Sequence, residues 1–152
     1  MDISRTELVR LAVDTQRMFE RGAVPHNLLM GLLMAQFPEY RQREEELCRG
    51  VQKTIRRFPR DNCMLASVMI NHRLDQRGKV AEGLYLNTNK RISHIVVDAG
   101  IVEGERTIAD ITAHQFRRGP RLHVGPPLGI WVLLRDFAPI SYPLPTHERH
   151  AS

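Results

Sequence analysis

The residue spacing of this chain changes once, near Gly78, and that change limits the possible folds more than any other feature. Before it, Leu8, Leu11, Ala12, Thr15, Met18 and Phe19 recur at three- and four-residue steps, the period of an amphipathic helix, and Gly22 offers a stop. A second helix opens at Pro25 and carries Leu28, Leu29, Leu32, Leu33 and Ala35 to Phe37, where Pro38 interrupts it. Residues 40–57 form a charged helical pattern with one sparse apolar face, ended by Phe58 and Pro59. Asp61 or Asn62 then caps a helix over residues 63–74 that carries Leu65, Val68 and Met69. Beyond Gly78 the period is that of strands, with 79–86, 92–97, 106–112 and 129–134 as candidates between clusters of Gly, Asn, Asp and Pro. Helices first and antiparallel strands afterwards predict an α+β fold. Its central helix, beginning at Cys63, packs on a curled, four-stranded, mainly antiparallel sheet.

A length of 152 residues suits one domain. We assign it to residues 1–138, with 139–152 as an extended tail rich in Pro and His. Hydrophobic residues at 42% allow a packed core and exclude a disordered chain. Two cysteines, Cys48 and Cys63, exclude a disulfide-dense scaffold and a four-thiolate zinc site. The start of the chain mixes acids and bases without the layout of a signal peptide, and the most apolar stretch, 28–37, is too short to cross a bilayer. A reducing, cytoplasmic setting without a membrane span is the expectation. The formal charge of +5 favours acidic partners without naming one.

Chemistry concentrates around three residues. Cys63 sits where a loop becomes the first turn of an apolar helix, and there the helix dipole and unpaired backbone N–H groups favour negative charge on a sulfur. Residues 92–112 read as two strands around a turn-like stretch, 98–106. A pairing symmetric about Val102 sets His94 directly opposite Asp110, close enough for an imidazole to carboxylate hydrogen bond. Such an Asp would fix the ring tautomer and leave the other nitrogen to take a thiol proton. The plainer readings are a small buried thiol at position 63 and a surface strand pair at 94 and 110.

The segments Asn62-Cys63-Met-Leu-Ala-Ser67, Ser93-His94-Ile-Val-Val97 and Ile108-Ala-Asp110-Ile-Thr112, the last running on to Gln115-Phe116, resemble the Cys-His-Asp core of papain-like and transglutaminase-like proteins, small bacterial and phage members among them. The likeness covers residues 61–116 and includes the chain order. It implies Cys63 as nucleophile, His94 as general base and Asp110 as the group that orients the ring. It implies a cofactor-free hydrolase or acyltransferase acting on an amide of a protein or peptide: a protease, amidase, glutamine deamidase or transglutaminase. A bacterial effector delivered by a specialised secretion system without a classical signal peptide fits the same likeness. With no glutamine a short step before Cys63, the second oxyanion donor beside the Cys63 N–H is open between Gln52 and Gln115.

Three rivals use the same residues. Cys63, His94 and Asp110 are metal-ligand types, with Cys48, His72 and His114 as additions, but no close Cys or His pair accompanies them, so no metal is assigned. Arg56, Arg57 and Arg60 before the cysteine, and Arg117, Arg118 and Arg121 after the motif, form basic clusters without interleaved aromatic residues, which argues against nucleic acid. They suit a catalytically silent papain-like module that holds an acidic protein or nucleic acid on a basic face. Finally, a disulfide between Cys48 and Cys63 would silence the nucleophile.

Overall fold

A computed structural model of the chain describes residues 2–79, 81–87, 93–115, 120–126 and 138–142. Four helices precede an antiparallel sheet, an α+β arrangement. Helix α1 (Arg5–Glu20) begins at Ser4, whose hydroxyl accepts from the Glu7 N–H at 3.1 Å and donates to the Glu7 carboxylate at 3.2 Å, a reciprocal cap. It buries Leu8, Leu11, Ala12, Thr15 and Phe19, and stops at Gly22, whose φ of 65° is the left-handed conformation of a helix terminus. Helix α2 (His26–Gln36) follows Pro25. The charged stretch expected as one helix over 40–57 is divided. Pro38 opens a 3-10 turn (Pro38–Arg43), and α3 (Glu44–Arg56) begins only where three glutamates supply acids to its first turn.

Helix α4 (Cys63–Asp75) is the centre of the molecule, with an unbroken buried run from Leu65 to Asn71 and Leu74 buried beyond it. A helix covered on most sides needs apolar residues round most of its circumference, and Leu65, Val68, Met69, Ile70 and Leu74 supply them. Phe19, Leu29, Val51, Ile55, Met69 and Leu74 share one core with Val97, Ala99 and Ala109 of the sheet. No described helix is long and apolar enough to cross a membrane.

The sheet comprises β1 (Glu82–Asn87), β2 (Ser93–Val102), β3 (Glu105–Asp110), β4 (His123–Gly125) and β5 (Ala138–Tyr142), in the order β4-β3-β2-β1-β5. Among the described residues it has five strands where the sequence suggests four. The candidate strand at 129–134 lies outside the described residues, and the tail assigned from residue 139 cuts through β5, which pairs with β1. Among the described residues β5 lies at the sheet edge, where the missing N–H of Pro139 is tolerated.

The β2–β3 hairpin also departs from the symmetric register. The turn is Glu103-Gly104, both with positive φ (49° and 83°), the two-residue form that matches strand twist. Next to it Val102 pairs with Glu105 and Ile101 with Arg106. Beyond it Asp98 pairs with Ile108 and Val97 with Ala109, so that Ala99 and Gly100 together face Thr107 in a bulge. Gly100 takes a φ of 72° there, and its N–H donates to the Asp98 carboxylate at 2.9 Å. His94 is therefore not directly across from Asp110. Carried one step further, the register sets Val96 beside Asp110, and His94 is the next residue along on the same face, a diagonal neighbour. Had the turn's register continued without the bulge, Val97 would stand across from Asp110 and His94 would point to the opposite face.

A side chain added at Gly100 meets no atom within 4 Å, so the cost of substitution is backbone strain alone. Gly100→Ala should lower stability by about 1 kcal/mol and Gly100→Asn by less, since Asn tolerates left-handed backbone. Urea unfolding of the three proteins measures this.

Candidate active site

The site begins at the uncapped start of α4. Asn62 occupies the cap position, yet its side chain does not bond the helix N–H groups. It turns back instead and donates to the carbonyls of Thr54 (2.8 Å) and Arg60 (2.7 Å), which ties the end of α3 to the loop before Cys63. The expectation of a side-chain cap is thus corrected: two carbonyls of the 54–60 turn compete for the same carboxamide and hold it. The first-turn N–H groups around Cys63 thus receive no cap from the Asn62 side chain. Cys63 is half-buried, and both it and Cys48 are free thiols, so the alternative disulfide is not formed.

Along α4, Cys63, Ser67 and Asn71 repeat at four-residue steps and form a polar stripe on an otherwise apolar helix. The Ser67 hydroxyl donates to the Ile95 carbonyl at 3.1 Å and docks the helix on β2. One turn earlier the Cys63 side chain meets His94, hydrogen-bonded to its ring. His94 is sealed from solvent, and its Nε2 donates to Asp110 Oδ2 at 2.6 Å. The other Asp110 oxygen, Oδ1, accepts from the Thr112 N–H at 2.8 Å and the Thr112 hydroxyl at 3.1 Å. Both carboxylate oxygens are satisfied within a nearly dry site, which is the condition for keeping a buried charge.

Burial alone would lower the His94 pKa. The hydrogen bond and charge of Asp110, and then those of Cys63, outweigh it and raise the value from 6.5 to about 9. With Nε2 committed to Asp110, Nδ1 faces the remaining partners. Gln115 Nε2 lies 3.1 Å from Nδ1, and a carboxamide can serve either protonation state, donating N–H to a bare nitrogen or turning its oxygen to a protonated one. Gln115 belongs to a short 3-10 turn (Ala113–Gln115) that follows β3. Gln16 of α1 anchors this connection by donating to the carbonyls of Ile111 (3.1 Å) and Arg121.

The structure therefore brings Cys63, His94, Asp110 and Gln115 together. Gln52 is elsewhere: it is exposed on α3 and lines a cavity of about 580 Å³ with Phe19, His26, Phe58 and His114. Arg117 and Arg118 lie outside the described residues, and Arg121 is engaged by Glu20 at 2.8 Å. Thr112, Ser67 and Gln16 escaped the sequence reading. The first two carry a signal: an Asp-x-Thr spacing suited to a local side-chain hydrogen bond, and a polar stripe on an apolar helix. Gln16 carries none. Comparison of the chain with known protein families, with curated proteins and with solved structures found no match.

Between pH 6.5 and about 9 the folded chain holds the His94 proton while the unfolded chain releases it, so this contribution is complete below 6.5 and fades as pH rises through 9. The stability difference between wild type and His94→Gln should shrink across that window by on the order of 3 kcal/mol. Urea unfolding at pH 6, 7.5 and 9 tests the sign and the size.

Proposed function

We propose that the protein is a papain-like cysteine enzyme that transfers the acyl group of a protein or peptide amide. The observation that carries the reading is a water-excluded imidazole held by Asp110 through one nitrogen while the Cys63 side chain meets the same ring. A half-buried sulfur at a helix start and a buried, oriented base form a division of labour suited to acyl transfer. With its proton already held on His94, the Cys63 sulfur attacks the amide carbonyl. The carbonyl oxygen, negative in the tetrahedral intermediate, takes hydrogen bonds from the uncapped N–H groups at the start of α4 and from Gln115. Collapse breaks the C–N bond, His94 returns its proton to the departing amine or ammonia, and a thioester remains. Attack by water gives hydrolysis or deamidation; attack by an amine gives transamidation.

A second reading has one observation in its favour. Gln115 Nε2 beside Nδ1 occupies the nitrogen that a thiol needs, as suits a catalytically silent binding module of the same fold.

Iodoacetamide separates the two without knowledge of the substrate. Cys63 should be alkylated at least about tenfold faster than Cys48 near neutral pH, His94→Gln should remove the difference, and Asp110→Asn should leave part of it. Equal rates for the two thiols in the folded wild type leave the binding module as the function. On a turned-over amide, Cys63→Ala and His94→Ala should each abolish activity, with little added loss in combination.

A further inference from the structure

The wall that leads away from Gln115 carries more chemistry than the acyl transfer uses. Gln115 and His114 line a second cavity of about 400 Å³ with Arg57, Pro59 and Arg60. His114 and Pro59 also line the 580 Å³ cavity, whose other walls include Phe19, Phe58, Arg21 and Arg56. The two cavities thus share His114 and Pro59, and Gln115, on the wall of the smaller one, reaches His94 Nδ1 at 3.1 Å. A ring cluster forms a floor, with Phe58 tilted against Phe19 (centroids 5.4 Å apart) and edge-on to His114 (5.6 Å).

The charges above that floor are unbalanced. Asp61 is paired with Arg57 at 3.1 Å, and Glu20 is taken up by Arg121. Among the described residues Arg21, Arg56 and Arg60 have no carboxylate partner. Two ring nitrogens at the larger cavity, His26 Nε2 and His114 Nδ1, are buried without a hydrogen-bond partner among the described residues. Because His26 Nδ1 donates to the Val24 carbonyl at 3.2 Å, the orphan Nε2 is an acceptor, left for an N–H of a ligand such as a backbone amide. Unpaired guanidinium groups beside an aromatic floor suit carboxylate side chains whose methylene stems lie against rings, and the orphan acceptor nitrogen suits a backbone N–H of the same peptide.

We propose that these joined cavities are the substrate subsite of the enzyme and that they take an acidic segment of a peptide or protein, Glu or Asp side chains next to the amide that Cys63 attacks. The proposal rests on the acyl-transfer reading for its placement relative to Cys63, and on the cavity walls for its choice of charge.

Two measurements separate the two layers. In the first, tripeptidyl vinyl sulfones of equal length bearing Glu, Gln or Lys inactivate Cys63. The Glu probe should react about fivefold faster than the Gln probe, the size of effect one or two exposed ion pairs give, with Lys slowest. The Glu preference should collapse in Arg21→Gln/Arg56→Gln and give way to a Lys preference in Arg56→Glu/Arg60→Glu. In the second, fluorescence anisotropy follows a labelled Glu-rich peptide, a Lys-rich peptide and a single-stranded oligonucleotide binding to the full-length Cys63→Ala protein. The Glu-rich peptide should bind tightest and lose affinity in the arginine variants. If Cys63 proves unreactive yet this binding pattern holds, the acidic-segment site stands and only the enzyme reading falls. Equal inactivation by the three probes with a reactive Cys63, or tighter binding of the oligonucleotide than of the acidic peptide, overturns the subsite.

Discussion

An imidazole and a carboxylate 2.6 Å apart and shut off from water set the terms for everything around them. Removing such a pair from solvent costs more than its mutual attraction returns unless every remaining lone pair and proton finds a partner. The chain meets that demand locally. Thr112 supplies two donors to Asp110 two residues upstream, and the turn that brings Gln115 to the far side of the ring follows at once. Gln16, far away in sequence, fixes the same connection from α1 through the Ile111 carbonyl. The loop after β3 is therefore shaped by the electrostatic needs of Asp110 as much as by the path of the chain.

The two halves of the fold were legible because each rests on a period that side-chain burial enforces. The 3.6-residue spacing of Leu8, Leu11, Thr15 and Phe19 matches α1, and the change after Gly78 marks the passage to the sheet. What was not legible was any feature decided by competition for one group. Asn62 looks like a cap by identity and position, but its carboxamide is held by the Thr54 and Arg60 carbonyls, a choice visible only once α3 has folded against the loop. Gly100 and Gly104 both announce left-handed backbone, and a sequence cannot say which is the turn and which the bulge. Reading 98–106 as a single turn merged them. The pairing of His94 with Asp110 survived that error in outline, because the offset between the expected and observed registers is even and keeps both residues on one face.

The candidate site was legible to a similar degree. Cys63, His94 and Asp110 stand in segments whose local patterns of helix start and strand pair suggest contact, and they do meet. The choice between Gln52 and Gln115 could not be made from spacing, since it depends on whether α3 or the turn after β3 faces the ring. Gln115 is delivered by the turn that follows Asp110, whereas Gln52 lies on the exposed side of α3.

The burial of His94 has a consequence for the traffic of protons. A base with no exposed surface has no direct exchange with bulk water; its Nε2 proton is held against Asp110, and Nδ1 lies 3.1 Å from Gln115. In the acyl-transfer reading the proton lifted from the sulfur is then the same one delivered to the departing nitrogen, carried over without dilution into solvent. In that reading the imidazole would work as a one-proton relay set behind the thiol, and whatever occupies the space beside Cys63 would decide when the proton leaves it.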